Sequence, residues 1–129
     1  MGSDRTDDRD LESLLADPAD PRWRTYFRFS FRSSDDVAAA EFDEWYRLNY
    51  DLGIVQPFDW TAWLEQRPDV MRPDFDLQLL SLDDAMRWIT AVIRADRFNE
   101  GLLDDELRSG RLGTVARRLW QRVQRACGD

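Results

Sequence analysis

Apolar residues recur at helical spacing through most of this chain. The clearest case follows Ser81, where Leu82, Ala85, Met86, Ile89, Val92 and Ile93 share one side of a helix and Arg87, Thr90 and Arg94 are left for other faces. Ser81 can cap that helix with its hydroxyl, and Asp83 and Asp84 in the first turn suit the positive end of the helix dipole. Ser33, Ser34, Asp35 and Asp36 repeat the same start signal. They predict a helix from about Asp35 to Tyr50, with Val37, Ala38, Phe42, Trp45, Leu48 and Leu52 along one side, Tyr46 and Tyr50 widening the arc, and Gly53 as the stop. A last helix carries Leu112, Val115, Ala116, Leu119, Val123 and Ala126 inward, with Trp120 at the edge of the stripe. Three shorter helices are predicted: Leu11, Leu14 and Leu15 before Asp17 and Pro18; Trp60, Trp63 and Leu64 after an Asp59 cap; and Leu102, Leu103 and Leu107, starting near Asn99 and ending at Ser109 and Gly110.

Two segments resist assignment. Residues 22–32 alternate Trp23, Thr25, Phe27, Phe29 and Phe31 against Arg22, Arg24, Tyr26, Arg28, Ser30 and Arg32, which reads as a strand. The same residues also read as a helix capped by Asp20, with Pro21 in its first turn and Trp23, Tyr26, Phe27 and Phe31 as the stripe. Phe29 fits only the alternating pattern, so extended structure is favoured. Phe75, Leu77 and Leu79 alternate as well, and residues 69–80 read as a loop or a short strand; residues 54–55 are a short apolar link that could pair. The expected fold is a mainly α, small single-domain helical bundle, with one short β element near residues 22–32 and 75–80 as its open question. Residues 1–10, alternating acid, arginine and small polar groups, are expected to be a flexible tail ahead of one globular domain at 11–129.

Composition changes this picture mainly by exclusion. There is no histidine, and all 18 basic residues are arginine. That removes the ordinary zinc site, the histidine-activated nucleophile, the Schiff-base lysine and the phosphate-loop lysine. Arginine in place of lysine is accounted for by genomic base composition more simply than by a demand for bidentate guanidinium chemistry. The single cysteine, Cys127, excludes an intrachain disulfide and fits a reducing compartment. Neither a membrane span nor a signal peptide is legible, so the expected location is cytoplasmic and no cofactor is expected.

Charge and aromatics are unevenly spread. Residues 1–107 carry a net charge of −13, whereas 108–128 hold six arginines and no acid. Arg117, Arg118, Arg122 and Arg125 are therefore candidate nucleic-acid contacts, with the arginines from Arg22 to Arg32 as an auxiliary set, although a total charge of −8 repels phosphate at long range. Twelve of the sixteen aromatic residues lie between Trp23 and Trp63, and Trp23, Tyr26, Tyr46, Tyr50, Trp60 and Trp63 form a candidate interaction surface. Arg94, Asp96, Arg97 and Glu100 form a candidate anion or ion-pair site. Its plainer explanation is a salt-bridged helix junction in which Asn99 caps the next helix and Phe98 pins the turn to the core. The acid pairs Asp35 and Asp36, Asp83 and Asp84, and Asp104 and Asp105 invite a divalent-cation reading, but each falls in a predicted first helical turn, where acids are ordinary.

The run Arg94, Ala95, Asp96, Arg97, Phe98, Asn99, Glu100, Gly101, followed by Gly110 and by Arg117, Arg118 and Leu119, resembles a bacterial family known only as a domain of unknown function. Phe58, Asp59, Trp60 and Trp63 are similar to that family's pattern, and the resemblance spans roughly the C-terminal three-fifths of the chain. It implies a bacterial or phage origin and carries no activity. Asn99 stands where similar proteins often have Cys. The expectation is a non-catalytic protein–protein interaction module, binding a protein partner or a second copy of itself. Local nucleic-acid binding through the last helix is the alternative, and a carboxylate enzyme using a divalent cation is the weaker one.

Overall fold

The stripe that follows Ser81 is wider in three dimensions than its spacing alone shows. In the computed structural model, which describes residues 15–31 and 39–127, the helix there buries Ala85, Met86 and every residue from Trp88 to Ile93. Six α-helices are present among the described residues: α1 (Arg22–Ser30), α2 (Ala39–Asp51), α3 (Trp60–Gln66), α4 (Leu82–Ala95), α5 (Leu102–Arg108) and α6 (Arg111–Cys127). They pack as a run of neighbours, α2 on α1, α1 on α6 and α6 on α4, with α3 against α4 and α5 against both α4 and α6. The result is a small single-domain helical bundle with α4 at its centre.

The start signals work as their chemistry requires. Ser81 Oγ accepts the Asp84 N–H at 3.1 Å, and Asp59 Oδ1 accepts the Ala62 N–H at 3.1 Å to open α3. Gly53 and Gly110 take positive φ where α2 and α5 give way to the next segment. Thr90, assigned by spacing to an outer face, is buried instead, 3.4 Å from both the Ile54 carbonyl and the Gln56 N–H. It ties the link after α2 to the central helix. The expected tail at residues 1–10, the bulk of the short leucine helix, Arg32 and the cap at Ser33 to Asp36 lie outside the described residues.

No strand forms among the described residues, which corrects the extended reading of residues 22–32 and the strand alternative at 75–80. Residues 22–30 are helical because Asp20 offers both a carbonyl to Trp23 N–H and a carboxylate to Arg22 N–H, starting the turn around Pro21. Phe29, which fitted only alternation, is buried because α1 is covered on two sides. Trp23, Tyr26 and Phe27 form one aromatic group, while Phe29 turns toward α2 to stack on Trp45 at 5.4 Å and meet Phe42 edge-on. On the opposite side α6 comes so near that a β-carbon on Gly113 would lie 3.1 Å from the Ser30 carbonyl oxygen. Residues 69–80 fold into two 3-10 turns, Pro68–Met71 and Leu77–Leu79, and the alternation fails at Leu79, which is 76% exposed. Residues 54–55 are not paired as a strand: their N–H groups donate to the Asn49 carbonyl.

The joint between α1 and α2 is polar as well as aromatic. The Tyr26 hydroxyl donates to Asn49 Oδ1 at 2.9 Å, Asn49 Nδ2 donates to the Trp45 carbonyl, and Trp45 Nε1 donates to Ser30 Oγ, which in turn donates to the Tyr26 carbonyl. Every member is paired, so the network fixes the register of the two helices without orphaned groups. Burial pushes the Tyr26 hydroxyl far above the ordinary tyrosine range. The unfolded chain releases this proton near pH 10 while the folded chain holds it. Stability is therefore complete below about pH 10 and falls by about 1.4 kcal/mol per pH unit above it. Urea midpoints between pH 8 and 11.5 should show that decline, and Tyr26→Phe should flatten it.

Candidate interaction surface

The surface is organised by the turn between α4 and α5. Asp96 is the C-cap residue of α4, and its Oδ1 accepts the Leu103 N–H at 3.0 Å, so this carboxylate belongs to the start of α5. Asn99 does not supply that cap, as its spacing suggested; its carbonyl takes the Leu102 N–H, and Gly101 at φ 95° makes the bend into the helix. Glu100 is exposed. The expected cluster of four charged groups is thus divided, with Asp96 committed to the backbone and the two arginines turned toward α2.

There they meet the tyrosines. The Arg94 guanidinium lies 6.0 Å from the centre of the Tyr50 ring, and Tyr50 and Tyr46 pack with ring centres 5.7 Å apart. Arg97 is exposed beside the same pair, and its interaction with Tyr46, then with Tyr50, holds its guanidinium above its ordinary pKa. Partial burial, and then the neighbouring Tyr46, pushes the Tyr50 hydroxyl up, opposed by the two arginines. Neither Arg94 nor Arg97 forms an ion pair with a carboxylate among the described residues.

Phe98 points away from the core. It is 83% exposed, where spacing placed it as the pin of the turn, and it stacks on Trp60 at the start of α3 with ring centres 6.4 Å apart and planes 25° apart. Consecutive residues of one turn therefore diverge, Arg97 to the tyrosine pair of α2 and Phe98 to the tryptophan of α3. The outcome is one outer surface of four aromatic rings and two guanidiniums contributed by three helices and the turn that follows α4. A helical stripe cannot reveal it, because its members are separated by up to half the chain; the signal was the presence of both groups, not their contact.

The remaining predicted positions separate clearly. Trp23 and Tyr26 are 2% and 0% exposed, so they are core and not interaction surface. Trp63 is half-buried, with Phe58 edge-on at 6.3 Å, and supports α3 from beneath. On α6, Arg117 lies over the Phe31 ring at 5.5 Å, Arg118 donates to Gln121 at 3.2 Å, Arg122 is half-buried and Arg125 is exposed. The arginines of α1 do not extend this row: Arg22 pairs with Asp20 at 2.7 Å, and Arg28 shares a small recess with Glu41 and Glu44. The acid pairs do not converge either. Asp84 pairs with Arg87 and Arg67, and Asp104 with Arg108, and no three metal-ligating side chains gather among the described residues.

One residue that spacing passed over holds several elements together. Arg111, at the first position of α6, donates to Glu106 Oε1 at 2.6 Å, to the Arg72 carbonyl at 2.7 Å and to the Val70 carbonyl at 3.2 Å, and sits over the Trp88 ring. A cleft of about 350 Å³ lies elsewhere, between the Pro18 to Trp23 approach and α6, walled by Trp23, Phe27 and Trp120. Its one acid, Asp20, is already spent on Arg22.

The profile of a family of unknown function, DUF6508, matches residues 32–125. The chain belongs to this family. The matched span contains all six residues of the outer surface, Tyr46, Tyr50, Trp60, Arg94, Arg97 and Phe98, whereas α1 precedes it. No curated protein and no solved structure matches the chain. Family membership thus assigns no activity, and any functional reading rests on the chemistry of the surface itself.

Proposed function

We propose that this chain is a non-catalytic interaction module of a bacterial or phage cytoplasm, and that it docks a protein partner through the surface built on Tyr46, Tyr50, Trp60, Arg94, Arg97 and Phe98. The exposure of Phe98 carries this reading. A phenylalanine held almost fully in water, stacked on a tryptophan and preceded in the turn by an exposed arginine, has the composition of a binding hot spot. Its removal costs the fold little, since it contacts solvent more than core.

Affinity capture from a bacterial lysate, with matched wild-type and Phe98→Ala baits quantified side by side, tests the reading. A partner held by the wild type should be depleted about thirtyfold or more on Phe98→Ala, the loss of about 2 kcal/mol typical of a hot-spot residue. Thermal unfolding of the two baits should agree within about 0.5 kcal/mol, as for an ordinary surface substitution. Equal recovery on both baits would reject this surface. Oligonucleotide binding that weakens with salt and with Arg118→Ala would move the function to α6 instead.

A further inference from the structure

We infer that the surface recognises an acidic segment of another protein, in which a carboxylate stands within two residues of a large apolar side chain. This rests on the docking role proposed above and names the chemistry of its partner.

The two halves of the surface ask for different groups. Arg94 and Arg97 have no carboxylate partner among the described residues, and Arg94 lies over the Tyr50 ring. A guanidinium has five N–H donors, and lying over a ring leaves them unspent. Tyr46 and Tyr50, packed together, bring hydroxyls that can donate to the same anion. A cluster consisting of donors accepts an anion, and guanidinium geometry favours a planar carboxylate. Phe98 and Trp60 form the other half, a stacked apolar platform without charge. Arg97 and Phe98 are consecutive, so the two halves flank one stretch of backbone. An extended partner reaches both with side chains one or two residues apart.

The charge distribution separates this occupant from two others. A symmetric pairing of two copies through this surface would set Arg94 and Arg97 of one against those of its mate, bringing like charges together. A nucleic-acid strand would carry its row of phosphates along a protein of net charge −8, accumulating repulsion beyond the local attraction. A short segment with one or two carboxylates meets the arginines and little else.

A random twelve-residue peptide library displayed on phage, selected against the full chain and counter-selected against Phe98→Ala, tests this. Recovered peptides should be enriched in Asp or Glu within two positions of Phe, Trp, Tyr or Leu. Synthetic peptides from that set should bind the wild type at least tenfold more tightly than Arg97→Glu, with affinity falling between 50 and 300 mM salt, as rim charges require. Phe98-dependent peptides without acidic enrichment, bound equally by Arg97→Glu, would overturn this inference and leave the docking role standing. Recovery of no Phe98-dependent peptide would overturn both. Sedimentation showing a dimer of the full chain that Phe98→Ala dissociates would replace the acidic segment with a second copy.

Discussion

Arg111→Ala should destabilise the protein by about 3–5 kcal/mol, the cost of leaving a buried charge without its partner. Glu106 is 7% exposed, and the Arg111 guanidinium meets its charge at 2.6 Å. The same side chain closes two carbonyls of the segment between α3 and α4, at Val70 and Arg72. The Val70 carbonyl also receives Trp88 Nε1 at 3.1 Å, so the guanidinium joins α5, α6, the 3-10 turn and the central helix at one point. Truncation leaves the carboxylate buried and the Arg72 carbonyl without its guanidinium, the costly side of hydrogen-bond deletion. Arg111→Lys should recover only part of the loss, because one ammonium cannot reach three acceptors spread along a planar fork. The double variant Glu106→Gln with Arg111→Met should be more stable than Arg111→Ala, since the stranded charge is gone. Urea midpoints at pH 7 measure all three. A loss below about 1 kcal/mol for Arg111→Ala would show that Glu106 finds adequate solvation elsewhere.

Arg111 also marks where sequence reading stops. The inward stripes of α4 and α6 and the caps at Ser81 and Asp59 were legible because they depend on neighbours within a turn or two. The extended reading of residues 22–32 failed for a tertiary reason. Phe29 breaks a one-sided helical stripe, and a helix flanked by both α2 and α6 has no single side to bury. The same physics hid Thr90: a central helix is enclosed all round, and a threonine inside it needs partners that only the Ile54 link supplies. Phe98 erred in the opposite direction. An aromatic residue at a helix end is ordinarily a core anchor, and only the placement of Trp60 shows that its contact lies outside the core. Tyr46, Tyr50, Trp60, Arg94 and Arg97 were each visible as candidates, but in two separate groups. Their union depends on how α2, α3 and α4 meet.

Trp45→Ala should cost about 3–5 kcal/mol, as expected for a fully buried aromatic residue. It should act on the α1 joint before the rest of the core. Trp45 is 1% exposed and lies between Tyr26, at 5.8 Å, and Phe29, at 5.4 Å, with its Nε1 on Ser30. Its removal empties the space between α1 and α2 and unpairs the Ser30 hydroxyl acceptor. The helix that carries Trp45, α2, packs chiefly on α1, whereas α4 packs on α6. Hydrogen exchange should therefore accelerate first in residues 22–30 and 42–50, with α4 and α6 protected longer. Trp45→Phe keeps the ring stacking and loses only the indole N–H, so it should cost about 1–2 kcal/mol less than Trp45→Ala. The binding consequence separates support from contact. Tyr46 follows Trp45 on the same helix, so loosening α2 should weaken docking together with stability, whereas Phe98→Ala should weaken docking at unchanged stability. Simultaneous loss of stability in both variants would place Phe98 in the core's cooperative unit and contradict its role as an exposed contact.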